Sequence, residues 1–395
     1  MGYRYRSEIL DRLGVRSWIN ARNWATAIGG NWLDDRVLAA MNEVAKTFVD
    51  MNELIRKADQ RVAQLCQVDD AHITVGCGTA IELAVAGCMA EGDHRKWMQL
   101  PHTEGMRNEV VVHRGHYIGY SPQWTASGAR LVEYGQAGLV KFSRPELESA
   151  LSEKTCCISY TISYNTAPRG SLPLSDVIQA AAARSFPVIV DAASDLPPVA
   201  NLHRHTDLGA DVVCFSGGKA IRGPNNTGLM LGRGKGAEIV QRVRDHTFPH
   251  YGWGRGRKLT KEQIVGLVVA LEIFVQEGDG LYEKHMQTVR YFVEELGGLP
   301  GVEVDIIPND ATLHEHPMVP HVPRVRLQWD ATKLGLTAAG LDEAMAREDP
   351  PVFLRNSQYF NYYTDKEWRL IDPFFLREDE EKIVAERLRR IFMGK

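Results

Sequence analysis

The chain has 395 residues, 44% of them hydrophobic and 24% charged, the balance of an ordinary globular protein with length enough for two domains. Its formal charge of −4, with basic residues scattered apart from the short cluster RGRK at 255–258, gives no footprint for nucleic acid or an anionic membrane as partner. Six cysteines without CxxC spacing read as reduced core thiols of a cytoplasmic protein, not as a disulfide frame or a metal site, and no stretch approaches the roughly 20 apolar residues of a membrane helix.

The N-terminus, MGYRYRSEIL, lacks the apolar core of a signal peptide. Residues 1–50 read as an arm: a helical start, an irregular Gly-Gly turn at 29–30, then a helix from about Asp34. The helix NELIRKADQRVAQLC ends near Cys66, and strands and helices then alternate. HITV (72–75) leads into the apolar helix AIELAVAGCMA, followed by EVVVH (109–113), RLVEY (130–134), TCCISYTIS (155–163), PVIVDAAS (187–194), DVVCFS (211–216) and GLMLG (228–232). Short β-rich runs separated by helices predict an α/β fold, a mostly parallel sheet between helices, over a large domain at 51–280. Two helices, TKEQIVGLVVALEIFVQEG (260–278) and YEKHMQTVRYFVEEL, bridge to the tail. Strands VEVDII, RVRLQW and VFLR, with helices from Thr337 and at EDEEKIVAERLRRIF, predict a smaller C-terminal α/β domain at 281–395.

In open α/β sheets ligands bind off the carboxyl ends of the strands, and three stretches occupy such ends. In VGCGTAIELA (75–84) a strand runs through glycines into a helix, with Thr79 at its mouth. Its free N–H groups form an anion site, or the stretch is simply a tight turn before a core helix; the spacing is neither Walker A nor GxGxxG. In VIVDAAS, Asp191 is either a helix N-cap or the counter-ion of a protonated ring nitrogen. In FSGGK, Lys219 either snorkels at the rim of the sheet or is a nucleophilic amine able to form a Schiff base, and the Ser216 hydroxyl could bind phosphate. An anion cradle, a strand-end aspartate and a later strand-end lysine, in that order, match the phosphate, ring nitrogen and aldehyde of pyridoxal phosphate.

The stretches SWINARNWATAIGG, FVDMNELIRKADQRVAQL, VVVHRGHYIGY, VIVDAASDLPPVANL, GADVVCFSGGKAIRGPNNTGLMLGR and GRGRKLTKEQIVGLVVALE resemble the fold-type-I pyridoxal phosphate enzymes of the aspartate aminotransferase superfamily. Within it they are most similar to the selenocysteine synthase-like group, which includes a sugar-acid ammonia lyase. The resemblance implies that Lys219 carries the cofactor and later acts as acid and base, and that Asp191 pairs with the ring nitrogen. It implies that Gly78, Thr79 and Ser216 hold the phosphate. His116 stands where the superfamily stacks a flat side chain on the ring, unless it is a surface loop histidine. Asn165 could bond the ring hydroxyl or shape its turn. Arg355 is where many relatives clamp a substrate carboxylate, the alternative being a solvated edge-strand arginine; Arg22, Arg114, Arg222 and Arg257 are further candidates for anionic substrate groups. A homodimer or higher homo-oligomer is also implied.

The chain departs from that pattern. Arg22-Asn23-Trp24 replaces a small, glycine-containing stretch, Gly76-Cys77-Gly78 replaces a Ser/Ala-rich turn, and Tyr251, Trp253 and RNSQYFNYY (355–363) add aromatics. There is no room for a tRNA-binding extension and no basic stripe in its place, which argues against tRNA as substrate. The expected function is a lyase: α-proton abstraction and β-elimination, with ammonia release, from a small hydroxy amino acid or amino sugar acid. Aminotransferase, aldolase, racemase and β-replacement chemistry are the alternatives with the same cofactor, and a non-catalytic binding protein of the same fold is the alternative from another class.

Overall fold

The computed structural model describes residues 4–135, 143–162, 172–307, 322–355 and 367–394. They form two compact units. The larger is Asn31–Asp279; the smaller joins residues 4–30 to the described residues from Gly280 onward. The segment expected as one fifty-residue arm is therefore divided at Gly30, and its first strand, β1 (Ile19–Ala21), belongs to the smaller unit.

The larger unit is built on a seven-stranded sheet. In chain order its strands are β2 (Asp70–Thr74), β3 (Glu109–His113), β4 (Arg130–Tyr134), β5 (Thr155–Thr161), β6 (Val188–Asp191), β7 (Val212–Ser216) and β8 (Gly228–Gly232). In space the order is β2-β8-β7-β6-β5-β3-β4. Strand β8 runs antiparallel to β2 and β7, and the other pairs are parallel. The runs Val188–Val190 and Val212–Phe215 are buried throughout, as continuous apolar strands are when both faces of a sheet are covered. Helix Gly76–Ala90 is apolar on every side but for Glu82, and its buried apolar residues, among them Ile81, Leu83, Val85 and Met89, pack in one core with Cys214, Met230 and Val240.

Register fixes what shares the carboxyl edge of this sheet. Thr74 pairs with Gly228, and Gly228 with Ser216. Asp191 pairs with Cys214 on one side and with Thr161 on the other. The glycine turn after β2, the aspartate ending β6 and the Ser-Gly-Gly-Lys loop after β7 are thereby carried to one rim.

In the smaller unit, β9 (Val302–Ile307), β10 (Arg324–Trp329) and β12 (Glu367–Ile371) make an antiparallel sheet of order β12-β10-β9. Strand β11 (Val352–Leu354) pairs in parallel with β1. Neither β1 nor β12 was anticipated as a strand. The first has three residues and a partner far away in the sequence, and the second follows an aromatic, polar run with no turn signal before it. Both are held by Asp372, directly after β12. Its N–H donates to Ala21 O at 2.9 Å, and its Oδ2 accepts from Arg324 Nε at 2.7 Å, Arg355 Nη1 at 3.0 Å and Asn23 Nδ2 at 2.7 Å. Burial pushes this carboxyl up, but the two guanidinium groups outweigh burial and hold it below its ordinary 3.8.

Because the folded value lies below the unfolded one, the contribution of Asp372 is complete above pH 3.8 and is lost as acid protonates it in the folded chain. Asp372→Ala is expected to destabilise the protein by about 3–5 kcal/mol near neutral pH, since it leaves two buried arginines short of a carboxylate. Urea denaturation at pH 7, repeated below pH 3.8, checks both the size and the convergence of the two proteins in acid.

Candidate active site

Lys219 lies in a loop that folds back on itself. Gly217 N–H donates to Thr227 O, Gly223 N–H to Gly217 O, and Arg222 N–H to Lys219 O, each at 2.8–2.9 Å. The two glycines are required by close approach: a Cβ on Gly217 would stand 2.3 Å from Thr227 Oγ1, and one on Gly218 would stand 2.5 Å from the Asn225 Cα. Asn31 closes the loop from outside, its Nδ2 donating to Gly218 O at 2.7 Å and Gly223 O at 2.8 Å. Nothing in the sequence marked Asn31, because its partners are backbone carbonyls almost two hundred residues away.

So constrained, the lysine is directed inward. The residue as a whole is part-accessible, yet burial lowers the pKa of its amine, opposed by the nearby Cys77 and Asp191. Asp191 is buried at the end of β6. Burial raises its pKa; the Ala193 N–H, Lys219 and Cys77 pull it the other way. Its Oδ1 accepts from Ala193 N at 3.0 Å and from the Cys77 thiol at 3.6 Å, and among the described residues no donor reaches Oδ2. Asp191 is therefore not the side-chain cap of a following helix, the alternative open to it in the sequence; helix Asn201–Asp207 begins ten residues later without a side-chain cap.

The glycine turn opens helix Gly76–Ala90, whose N-terminus also has no side-chain cap, with Gly78 and Thr79 in its first turn and only partly buried. Among the described residues the hydroxyls of Thr79 and Ser216 make no hydrogen bond. An uncapped helix start, two available hydroxyls, a carboxylate oxygen without a donor and a buried amine fit the phosphate, ring nitrogen and aldehyde of pyridoxal phosphate.

His116 is buried in the turn after β3. Its Nδ1 accepts from the Thr161 N–H at 3.4 Å, and its ring meets Tyr160 edge-on at 4.6 Å. Since Thr161 pairs with Asp191, His116 belongs to the same rim, and it is not a surface loop residue. The five arginines are placed differently. Arg257 is ion-paired with the buried Glu82 and stacks on Trp253 with Cζ 4.1 Å from the ring centroid. Exposed Arg114 pairs with Glu133 at 2.9 Å. Arg222, at φ 60°, lies over Trp32 at 3.7 Å. Arg22 is half-buried in the smaller unit. Arg355, in the same unit, is buried against Asp372, which corrects its reading as a solvated edge-strand arginine. Trp24 packs edge-on against Phe374 at 5.2 Å, and Tyr251 is exposed. Asn165 and residues 356–363 lie outside the described residues. A cleft of about 930 Å³, lined by Asp50, Glu53, Asp59, Arg244 and His250 among others, contains none of the rim residues.

No protein-family model matches the chain. D-Glucosaminate-6-phosphate ammonia lyase of Salmonella typhimurium is 30% identical over 387 residues, covering 97% of each chain. A solved structure of a D-glucosaminate-6-phosphate ammonia lyase superposes with a TM-score of 0.82 at 28% identity, covering 98% of this chain and 99% of that one. The chain belongs to this lyase family. It is a pyridoxal phosphate enzyme of fold type I. A Streptomyces 5'-C-glycyluridine monooxygenase-decarboxylase is 29% identical over 391 residues, 96% of this chain and 91% of that protein. L-Seryl-tRNA(Sec) selenium transferase of Alkaliphilus metalliredigens is 22% identical over 78% of this chain and 65% of its own, the relationship that the selenocysteine synthase-like stretches implied.

All six cysteines are free and buried, and burial raises the pKa values of Cys66, Cys77 and Cys214. The native protein at pH 8 is therefore expected to react with a thiol reagent at least about a hundredfold more slowly than the urea-unfolded chain, which should release six equivalents. Stopped-flow titration with a chromogenic disulfide measures both.

Proposed function

We propose that this enzyme converts a 2-amino-3-hydroxy acid of the amino sugar acid class into ammonia and a 2-keto-3-deoxy acid. The observation that carries the reading is the buried amine of Lys219 beside Asp191 at the carboxyl edge of the sheet. Bound pyridoxal phosphate supplies the electron sink that makes the substrate Cα–H acidic. Asp191 Oδ2 would hold a proton on the ring nitrogen. The uncapped turn at Gly78 and Thr79, with Ser216, would bind the phosphate, and His116 would contact the ring. Lys219 would take the α-proton; burial lowers the pKa of its amine and so favours the neutral form that a base needs. The β-hydroxyl then leaves as water with a proton returned from the lysine. Water re-enters when the product imine hydrolyses, so the net change is loss of one ammonia. Holding base and scissile bond in one geometry supplies much of the acceleration.

Arg257 and Arg355 hold buried internal carboxylates, whereas Arg114 pairs with Glu133 in an exposed contact that a substrate anion could displace, so Arg114 and Arg22 are the candidates for the substrate's anionic groups. The enzyme works as a homodimer. Support comes from Leu38, Phe48 and Val49, exposed apolar residues on and after helix Asp35–Ala45, with Phe48 wholly uncovered. We place it in the cytoplasm on the strength of its six unpaired thiols; among the described residues no helix is long and apolar enough to cross a membrane.

The purified protein is expected to be yellow with pyridoxal phosphate and to be fixed in a reduced form by borohydride. Lys219→Ala should lose that fixation and lower turnover by about a thousandfold or more. Incubation with D-glucosaminate, its 6-phosphate, and D- and L-serine or threonine, with ammonia and keto acid measured, should give the two products in equal amounts. A cofactor left in its amine form would point to transamination instead, and carbon dioxide release with oxygen uptake to the chemistry named for the Streptomyces relative. Sedimentation should give twice the chain mass, and Phe48→Asp should shift it toward the monomer.

A further inference from the structure

Cys77 joins the two ends of this site. It is the second residue of helix Gly76–Ala90, directly before Gly78 and Thr79, yet its Sγ lies 3.6 Å from Asp191 Oδ1, within the reach of a sulfur donor. The side chain is buried, and burial, reinforced by the nearby Asp191, holds the thiol well above its ordinary value. It is therefore protonated and donates its hydrogen to the carboxylate. The Ala193 N–H donates to the same oxygen at 3.0 Å.

A single donor on the aspartate's own turn leaves the carboxylate free to rotate about that bond. The second donor comes from a different element, the helix anchored in the core by Ile81, Leu83 and Met89, and fixes the plane. One oxygen is then held from two sides and the other faces away from both donors.

We propose that Cys77 is a positioning residue: its S–H holds Asp191 Oδ1 so that Oδ2 is presented to the cofactor's ring nitrogen, and the turn that binds the phosphate is thereby tied to the carboxylate at the opposite end of the ring. This rests on the reading of Asp191 as the ring-nitrogen partner. It also gives a physical reason for a cysteine between two glycines at a place where the backbone alone could cradle a phosphate.

Two measurements test it. In protein stripped of cofactor, the infrared S–H stretch of Cys77, isolated as the difference between wild type and Cys77→Ser, is expected at the lowered frequency of a hydrogen-bonded thiol. It should return to the unbonded position in Asp191→Ala. An unbonded band in the wild type, or one indifferent to Asp191→Ala, overturns the proposal. With cofactor, Cys77→Ala is expected to weaken pyridoxal phosphate binding by about tenfold and to move the midpoint of its pH-dependent absorbance change, while Cys77→Ser, which keeps a donor, stays within about twofold of wild type. Equal impairment of both variants would mean that the sulfur only fills space, and sinks the idea. Its failure is distinguishable from failure of the underlying reading: an Asp191→Ala protein that binds pyridoxal phosphate as tightly as wild type, with an unchanged pH-dependent absorbance, removes that reading, whatever the thiol band shows.

Discussion

A lysine amine held out of water next to an aspartate is the constraint on which the rest of the larger unit turns. Removing a charge from water is expensive, and the amine responds by giving up its proton more readily than a solvated lysine does. Asp191 meets the same burial and shifts in the opposite direction. The two groups are held by different strands, β6 and β7, whose register is set by buried apolar side chains far from the rim. The chemistry is therefore positioned by packing, and the polar groups at the edge inherit that precision.

Much of this was legible in the sequence because it is local. Strands β3, β4 and β8 were readable at their observed bounds, each a short apolar or β-branched run closed by turn residues. Lys219, Asp191 and Ser216 stood out because a charged or hydroxylated residue at the end of such a run needs a reason to be there. The long-range partners were not legible. The contact between Cys77 and Asp191 spans 114 residues, and that between Asn23 and Asp372 spans 349. Arg355 illustrates the limit: its position at the end of VFLR marks an arginine at a strand end, but only the fold shows a buried carboxylate already facing it. The same applies to Arg257, whose partner Glu82 is an acidic residue inside an otherwise apolar helix.

The relatives divide the inference in the same way. Two proteins of nearly equal similarity bear the names of an ammonia lyase and of an oxygen-using decarboxylase. Similar sequences thus bear names for different bond cleavages, and in pyridoxal phosphate enzymes the choice falls to side chains that orient the substrate rather than to those that hold the ring. We propose that Arg22-Asn23-Trp24, which stands in place of a small, glycine-containing stretch, is of that kind. Asn23 is bound to the Asp372 hub at φ 111°, so the backbone of its two neighbours is fixed by a buried ion network and not by a flexible loop.

The pairing of β1 with β11 has a consequence for how the protein is made. Residues Asn31–Asp279 form a contiguous unit and can complete their core while the rest of the chain is still being synthesised. Ile19–Ala21, although it is made before every other strand among the described residues, has no strand to join until Val352–Leu354 has emerged. That strand must wait, unpaired, through the synthesis of everything between the two, and the smaller unit is completed after the larger.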